Sequence, residues 1–127
     1  MKFARWVYLI AGIYGLLIII PLYFMEAQLG RDQPPAITHP EYFYGFLGTV
    51  LAWQVLFLLI SRDPVRYRML MLPTLIEKFS YVIAVLILFN QGRVANPILG
   101  AALIDLLLGI LFVIAFFKTK GMTQSQL

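Results

Sequence analysis

The sequence predicts an all-α protein, folded as a four-helix transmembrane bundle. Of its 127 residues, 61% are hydrophobic and 13% are charged, whereas a soluble domain has about 25% charged residues. The chain also contains four apolar stretches, and each is about as long as the ~20 residues that a helix needs to cross a bilayer. A soluble fold would have too little polar surface, so we expect a single integral-membrane domain over residues 1–127.

The four predicted spans are residues 6–25, 42–61, 69–90 and 97–117. The first two contain no charged residue, the third contains Glu77 and Lys78, and the fourth contains Asp105. The first stretch is longer than the apolar region of a signal peptide, about 7–15 residues, and no small-x-small cleavage site follows it. We therefore expect an uncleaved first helix.

Local sequence signals mark where several helices begin. Thr38 and Glu41 have the spacing of a capping box ahead of the second span. Asp63-Pro64 and Asn96-Pro97 each place a capping residue before a proline at the first helical position. Within the third span, Pro73 removes one backbone hydrogen bond, and a bend is expected there.

The distribution of basic residues predicts the orientation. Seven lie before the first span, between the second and third, or after the fourth, and only Arg31 and Arg93 lie in the opposite loops. Cytoplasmic loops carry the excess of Lys and Arg. We expect an up-down-up-down bundle with both termini cytoplasmic, in a bacterial inner membrane. The seven are Lys2, Arg5, Arg62, Arg66, Arg68, Lys118 and Lys120.

Composition excludes several kinds of site. The chain has no cysteine and a single histidine, His39, which rules out disulfides, thiolate metal sites and multi-histidine metal or haem sites within one chain. We expect no metal and no cofactor. The net charge of +4 is spread over several loops instead of one face, so nucleic-acid binding is not expected.

The charges inside the apolar stretches are the most informative feature. Placing an ionisable group in the bilayer centre costs ~3 kcal/mol, and such groups usually face a protein interior or a pathway. Helical rise puts Glu77, Asp105, Gln54 and Tyr14, one from each span, at similar depth near the midplane. The sequence therefore predicts a polar central layer.

The predicted binding site is built around this layer. Thr74, Glu77 and Tyr81 share one helix face, and Lys78 is rotated by about 100° from Glu77. Trp53 has three interpretations, namely lipid contact, internal packing or the wall of an apolar pocket. The residues predicted to bind a ligand are Tyr14, Trp53, Gln54, Thr74, Glu77, Lys78, Tyr81 and Asp105.

Three interpretations of the layer remain open, the third being that its charges meet a partner protein. In the structural one, Lys78 pairs with a carboxylate and pins two helices together, while Gln54 and Tyr14 form hydrogen bonds between helices. In the functional one, the layer binds a ligand or a proton. With two acids and one base, one carboxylate has no cation within the chain, so it is protonated or contacts something else.

Aromatic and small residues allow further expectations. His39 and Glu41 are either a capped helix start or the mouth of an access route. Stripes of small residues, on the first span at Gly12 and Gly15 and on the second from Gly45 to Ala52, serve internal packing or a homodimer face. An interfacial aromatic belt is expected from Trp6, Tyr8, Tyr23, Tyr42, Tyr44 and Tyr67.

Residues 38–46, 51–54, 61–68 and 76–79 resemble segments of small four-span membrane proteins of bacteria. The arrangement is also similar to two broader groups, the DoxX-like four-helix membrane proteins and the EXPERA group. The EXPERA resemblance implies a bundle of four to five helices whose acidic residues line a cavity for amphiphilic cations or sterols. It covers the topology of most of the chain. Lys78 beside Glu77 and the short loops depart from it, so no EXPERA functional residue is carried over.

Three functions follow as hypotheses. The first is a small membrane protein whose midplane cavity binds or transports a small amphiphile, a cation or a proton. The second is a membrane enzyme that performs acid–base chemistry on an isoprenoid or sterol-like lipid, with Glu77 and Asp105 as proton donor and acceptor. The third is a non-catalytic accessory subunit in which the charges hold helices together. The sequence favours a protein that is not an enzyme.

Overall fold

A computed structural model of the chain describes residues 2–121. In this range the regular structure is all helical, with five α-helices, a short 3-10 turn and no strand, which confirms the predicted all-α class. The helices are α1 (Lys2–Leu22), α2 (Glu26–Asp32), α3 (Pro40–Arg62), α4 (Met71–Asn90) and α5 (Asn96–Lys118), and the 3-10 turn is Arg68–Leu70.

Four segments are long and apolar enough to cross a membrane, namely α1, α3, α4 with its preceding turn, and α5. These four helices fit an integral membrane protein. Helix α1 starts at Lys2, before the predicted span, and ends at Leu22. The remaining helix, α2, is a short element in a segment for which no helix was expected. Glu26 in its first turn and Arg31 in its last both complement the helix dipole.

Two of the predicted helix caps are wrong. The residue that caps α3 is His39, which forms no side-chain cap hydrogen bond, and the Glu41 carboxylate contacts the His39 ring instead of the backbone. Asn96 lies inside α5, and Ala95 precedes it as the cap. In both helices a proline in the first turn supplies a fixed helical φ without needing a hydrogen bond for its nitrogen. Asp63 does accept a hydrogen bond from the Arg66 amide, at 3.3 Å.

Pro73, where a bend is expected, does not interrupt α4. The helix begins at Met71 and continues to Asn90, so Pro73 lies in its first turn. Backbone amides in the first turn have no acceptor within the helix, and a proline there costs little. The third span is therefore a short 3-10 turn followed by an uninterrupted α-helix.

The helices pack as two main pairs, α1 with α3 and α4 with α5, and α1 also contacts α5. A cluster of three fully buried rings, which we call the aromatic core, joins α1, α3 and α5 through Tyr8, Phe57 and Phe112. Tyr8 stacks on Phe112 with centroids 4.1 Å apart, and Phe57 meets Phe112 edge-on at 5.1 Å. The assignment of Tyr8 to an interfacial belt is therefore wrong.

The small residues divide between internal packing and outward-facing positions. A Cβ atom at Gly12 would lie 2.7 Å from Leu58 Cδ2, and one at Gly15 would overlap the Gln54 amide. These two glycines let α1 approach α3 closely. Gly45, by contrast, has nothing within 4 Å of its Cβ position. The homodimer face remains a prediction.

Candidate functional site

Three ionisable side chains from α4 and α5 form what we call the ionic cluster, Glu77, Lys78 and Asp105. The Lys78 ammonium donates a hydrogen bond to Asp105 Oδ1 at 3.1 Å and lies 3.7 Å from Glu77 Oε2. Lys78 is 4% exposed, and the two carboxylate side chains are 18% and 20% exposed. Such burial weakens solvent screening, so these charges interact strongly.

The local sequence explains how α5 reaches Lys78. Lys78 and Asp105 each lie about three helical turns from the short connection between α4 and α5. One turn beyond Asp105 is Gly109, where an added Cβ would come within 3.0 Å of Phe79 and 3.3 Å of Lys78 Cβ. Because Gly109 has no side chain, the two backbones approach closely enough for the short Asp105 side chain to reach the ammonium.

Gln54 brings α3 into the same layer. It is 2% exposed, and its Nε2 donates to the Val50 carbonyl at 3.0 Å. Its Oε1 faces α1 at Gly15, which has no side chain to occupy that space. One turn along α3, the Phe57 ring lies under Lys78, with its centroid 5.3 Å from the ammonium nitrogen, a cation–π distance.

The two tyrosines predicted for the site also lie near the ionic cluster. Tyr14 on α1 and Tyr81 on α4 are both half-buried, and both lie within electrostatic range of Asp105. All four long helices thus contribute to a set that we call the polar layer. Its members are Tyr14, Gln54, Glu77, Lys78, Tyr81 and Asp105.

Thr74 lies beside the aromatic core and is fully buried there. Its hydroxyl donates to the Met71 carbonyl at 2.6 Å. It therefore accepts at 2.9 Å from the hydroxyl of Tyr8, since a hydroxyl has only one proton to donate. This Tyr8–Thr74 bond joins α1 to α4. Sequence reasoning missed Tyr8 because a tyrosine near a helix end is also what an interfacial belt predicts.

The remaining predicted residues are more peripheral. Trp53 is half-buried and packs against the buried core. His39 Nδ1 and Glu41 Oε1 are 3.2 Å apart, with side chains 65% and 63% exposed, and the His39 ring stacks on Tyr42. Within residues 2–121, no three His, Asp or Glu side chains are grouped as a metal site would require.

Two oxygens of the polar layer are buried without a hydrogen bond. Among residues 2–121, Gln54 Oε1 and Glu77 Oε2 are the buried side-chain polar atoms in this situation. Most buried polar atoms in proteins do have a partner, and each exception calls for a physical reason. The Lys78 ammonium lies 3.7 Å from Glu77 Oε2, which is too long for a hydrogen bond.

Two surface grooves of about 460 and 490 Å³ lie elsewhere, around the start of α1. The first lies between α1 and α5 and the second between α1 and the end of α3. No residue of the polar layer lines either groove.

No protein-family model, no curated protein and no solved structure matches this chain.

Proposed function

We propose that this small membrane protein is of the binding or transport type, and that its polar layer takes up a proton at Glu77. One observation carries the proposal: Glu77 Oε2 is buried without a hydrogen-bond donor, next to a lysine that already donates to Asp105. The sequence left three ligands open, namely an amphiphile, a cation and a proton. Of these, we propose the proton.

Charge balance supports protonation of Glu77. Within the ionic cluster, a single ammonium faces two carboxylates. Lys78 is closer to Asp105, and the hydrogen bond at 3.1 Å commits its charge mainly to that partner. A second uncompensated carboxylate in a low-dielectric interior is costly, and such a group neutralises by binding a proton. Protonated Glu77 is neutral and gains an O–H donor.

A proton also suits the packing better than a larger ligand does. An amphiphile or sterol would need a cavity lined by the polar layer, whereas the two grooves are lined by other residues. The side chain of Gln54 fits closely against Gly15, which leaves little space there.

The proposed orientation has both termini in the cytoplasm and helices of alternating direction. Lys118, at the end of α5, lies over the ring of Phe3 at the start of α1, 4.7 Å from its centroid. Arg68, just before α4, donates to the Phe116 carbonyl at 3.0 Å. These contacts bring the start of α1, the start of α4 and the end of α5 together, and basic residues lie near each of these three ends. This supports a cytoplasmic position for that end of the bundle in a bacterial inner membrane.

Infrared spectroscopy of the purified protein at neutral pH tests the proton site. A protonated carboxylic acid has a C=O stretching band that a carboxylate lacks. We expect this band in the unaltered protein and its loss in Glu77→Gln, while the exposed control Glu41→Gln keeps it. A band that persists in Glu77→Gln, or is absent from the unaltered protein, would overturn the proposal.

Transport is tested separately in proteoliposomes that contain a pH-sensitive dye. We expect an imposed pH gradient to decay faster with the unaltered protein than with Glu77→Gln, and Glu41→Gln to behave as the unaltered protein does. Equal decay of the gradient for all three proteins would mean that Glu77 binds a proton but that the protein does not transport it.

A structural role is the second candidate, and the short Lys78–Asp105 hydrogen bond favours it. In that case the pair joins α4 to α5 and the protein is an accessory subunit. Substitution of Glu77 distinguishes the two candidates, since only the proton-site hypothesis gives this side chain a function. The enzymatic hypothesis and the EXPERA-like or DoxX-like resemblance remain predictions.

A further inference from the structure

We infer that the basic end of the bundle holds one anionic phospholipid, with an acyl chain between α1 and α5 and the phosphodiester beside Lys2 and Arg5. This site is separate from the polar layer and does not depend on the proposed proton uptake. The observations that carry it are the two grooves, which meet at Lys2 and Trp6.

The groove between α1 and α5 suits an acyl chain. It has a volume of about 460 Å³, and except for Lys2 its lining is apolar. Along α1 it extends from Lys2 to Ile10, about 12 Å of helix. The apolar lining residues are Phe3, Trp6, Val7, Ile10, Leu108 and Leu111.

The groove between α1 and α3 suits a headgroup. Lys2, Arg5 and Ser61 line it beside Trp6 and Leu9. Within residues 2–121, neither Lys2 nor Arg5 forms an ion pair with a carboxylate, and both are exposed. Lysine and arginine side chains are suitable partners for a phosphodiester. The charge of this groove is therefore complementary to an anionic lipid.

The position in the bilayer is consistent with such a lipid. Trp6, which separates the two grooves and is 61% exposed, is the type of residue that lies at headgroup level. Lys118 adds a third cation above Phe3. Basic pockets between helices on the cytoplasmic side bind anionic headgroups. A zwitterionic lipid such as phosphatidylcholine brings its own cation next to its phosphodiester and so has no net negative charge to balance these cations.

Native mass spectrometry tests the site on the full chain, purified in detergent with equal amounts of phosphatidylglycerol and phosphatidylcholine. We expect one retained phosphatidylglycerol. The double variant Lys2→Gln/Arg5→Gln should lower retention of this lipid about tenfold or more, because each basic residue contributes ~1 kcal/mol of attraction to an anionic lipid. The control Arg66→Gln/Lys120→Gln removes two charges from the same end but from neither groove, and retention should stay within about twofold.

A second variant tests the acyl-chain groove without changing charge. Ile10→Trp fills the groove and should reduce retention, whereas Ile20→Trp, exposed on the same helix but outside the groove, should not. Trp6 also reports occupancy directly. In a Trp53→Phe background its fluorescence should be quenched more by phosphatidylglycerol with brominated chains than by the matching phosphatidylcholine.

Several outcomes would overturn the inference. One is equal retention of the two lipids, which would mean that the retained molecules are surrounding bilayer lipid bound without selectivity. Another is an equal loss in both double variants, which would mean diffuse surface attraction. Displacement of the lipid by millimolar inorganic phosphate, or a lipid-free dimer as the retained species, would identify a different occupant. Circular dichroism of each variant distinguishes loss of binding from loss of folding.

Discussion

The aromatic core and the polar layer belong to the same bundle but differ in how their polar atoms are satisfied. In the core, the Tyr8 hydroxyl donates to Thr74, which donates in turn to a backbone carbonyl. In the polar layer, Lys78 has a good acceptor, while Gln54 Oε1 and Glu77 Oε2 have no donor.

This difference assigns separate roles to the two regions. A close-packed core in which each polar atom is bonded stabilises one arrangement of helices. Local departures from such consistency are expected at functional sites. The polar layer combines both features, since Lys78 is hydrogen-bonded to Asp105 while Glu77 Oε2 has no donor. Substitutions in the two regions test whether this difference in hydrogen bonding corresponds to a difference in role.

The largest effect is expected for Lys78→Met. It leaves the Asp105 carboxylate without its cation and should lower the free energy of unfolding by about 3–5 kcal/mol. The double variant Lys78→Met/Asp105→Asn should recover a large part of this loss, because the uncompensated charge is removed. Denaturant titration in detergent measures both, with the exposed Lys120→Met as control. No recovery in the double variant would contradict a paired role for Asp105.

The next effect concerns the contact between α1 and α3. Gly15→Ala places a Cβ where the Gln54 amide lies and should cost about 1–3 kcal/mol through overpacking. Gly45→Ala is the matched control, since its Cβ position is open. Shortening the partner in Gly15→Ala/Gln54→Ser should relieve the clash. Equal stability of the two single variants in the same titration would show that Gln54 is not held against α1.

A smaller effect is expected in the aromatic core. Tyr8→Phe keeps the stacked ring but removes the hydroxyl that donates to Thr74, and should cost about 1 kcal/mol. Tyr42→Phe, at a tyrosine that is 72% exposed, should cost nothing measurable. If both variants unfold at the same denaturant concentration, the bond between α1 and α4 does not contribute to stability.

The smallest effect is expected for Glu77→Gln, below about 0.5 kcal/mol, although the side chain is largely buried. Its Oε2 accepts no hydrogen bond, and a protonated glutamate and a glutamine are both neutral. Asp105→Asn should cost distinctly more, because Asp105 accepts the Lys78 hydrogen bond. Equal losses for the two variants would mean that both carboxylates are structural, and the contrast within the layer would disappear.

The sequence predicted the grouping of the three charges for a physical reason. Charges are rare in apolar stretches, so Glu77, Lys78 and Asp105 stood out, and helical rise placed Glu77 and Asp105 at a similar depth. Which carboxylate Lys78 prefers could not be predicted, because that depends on how closely two backbones approach at Gly109. Tyr8 could not be recognised either, since burial of one tyrosine among several depends on the rotation of α1 about its axis.

By itself, the sequence determined that this chain is all-helical and has four helices able to cross a membrane, because the length and hydropathy of each segment are local properties. It did not predict α2 or the true caps of α3 and α5, where weak local preferences compete. Only the tertiary structure decided that Lys78 is bonded to Asp105 and that Glu77 Oε2 and Gln54 Oε1 are left without donors. These features depend on side-chain geometry between helices distant in sequence, and the distances involved are fixed only when the helices pack.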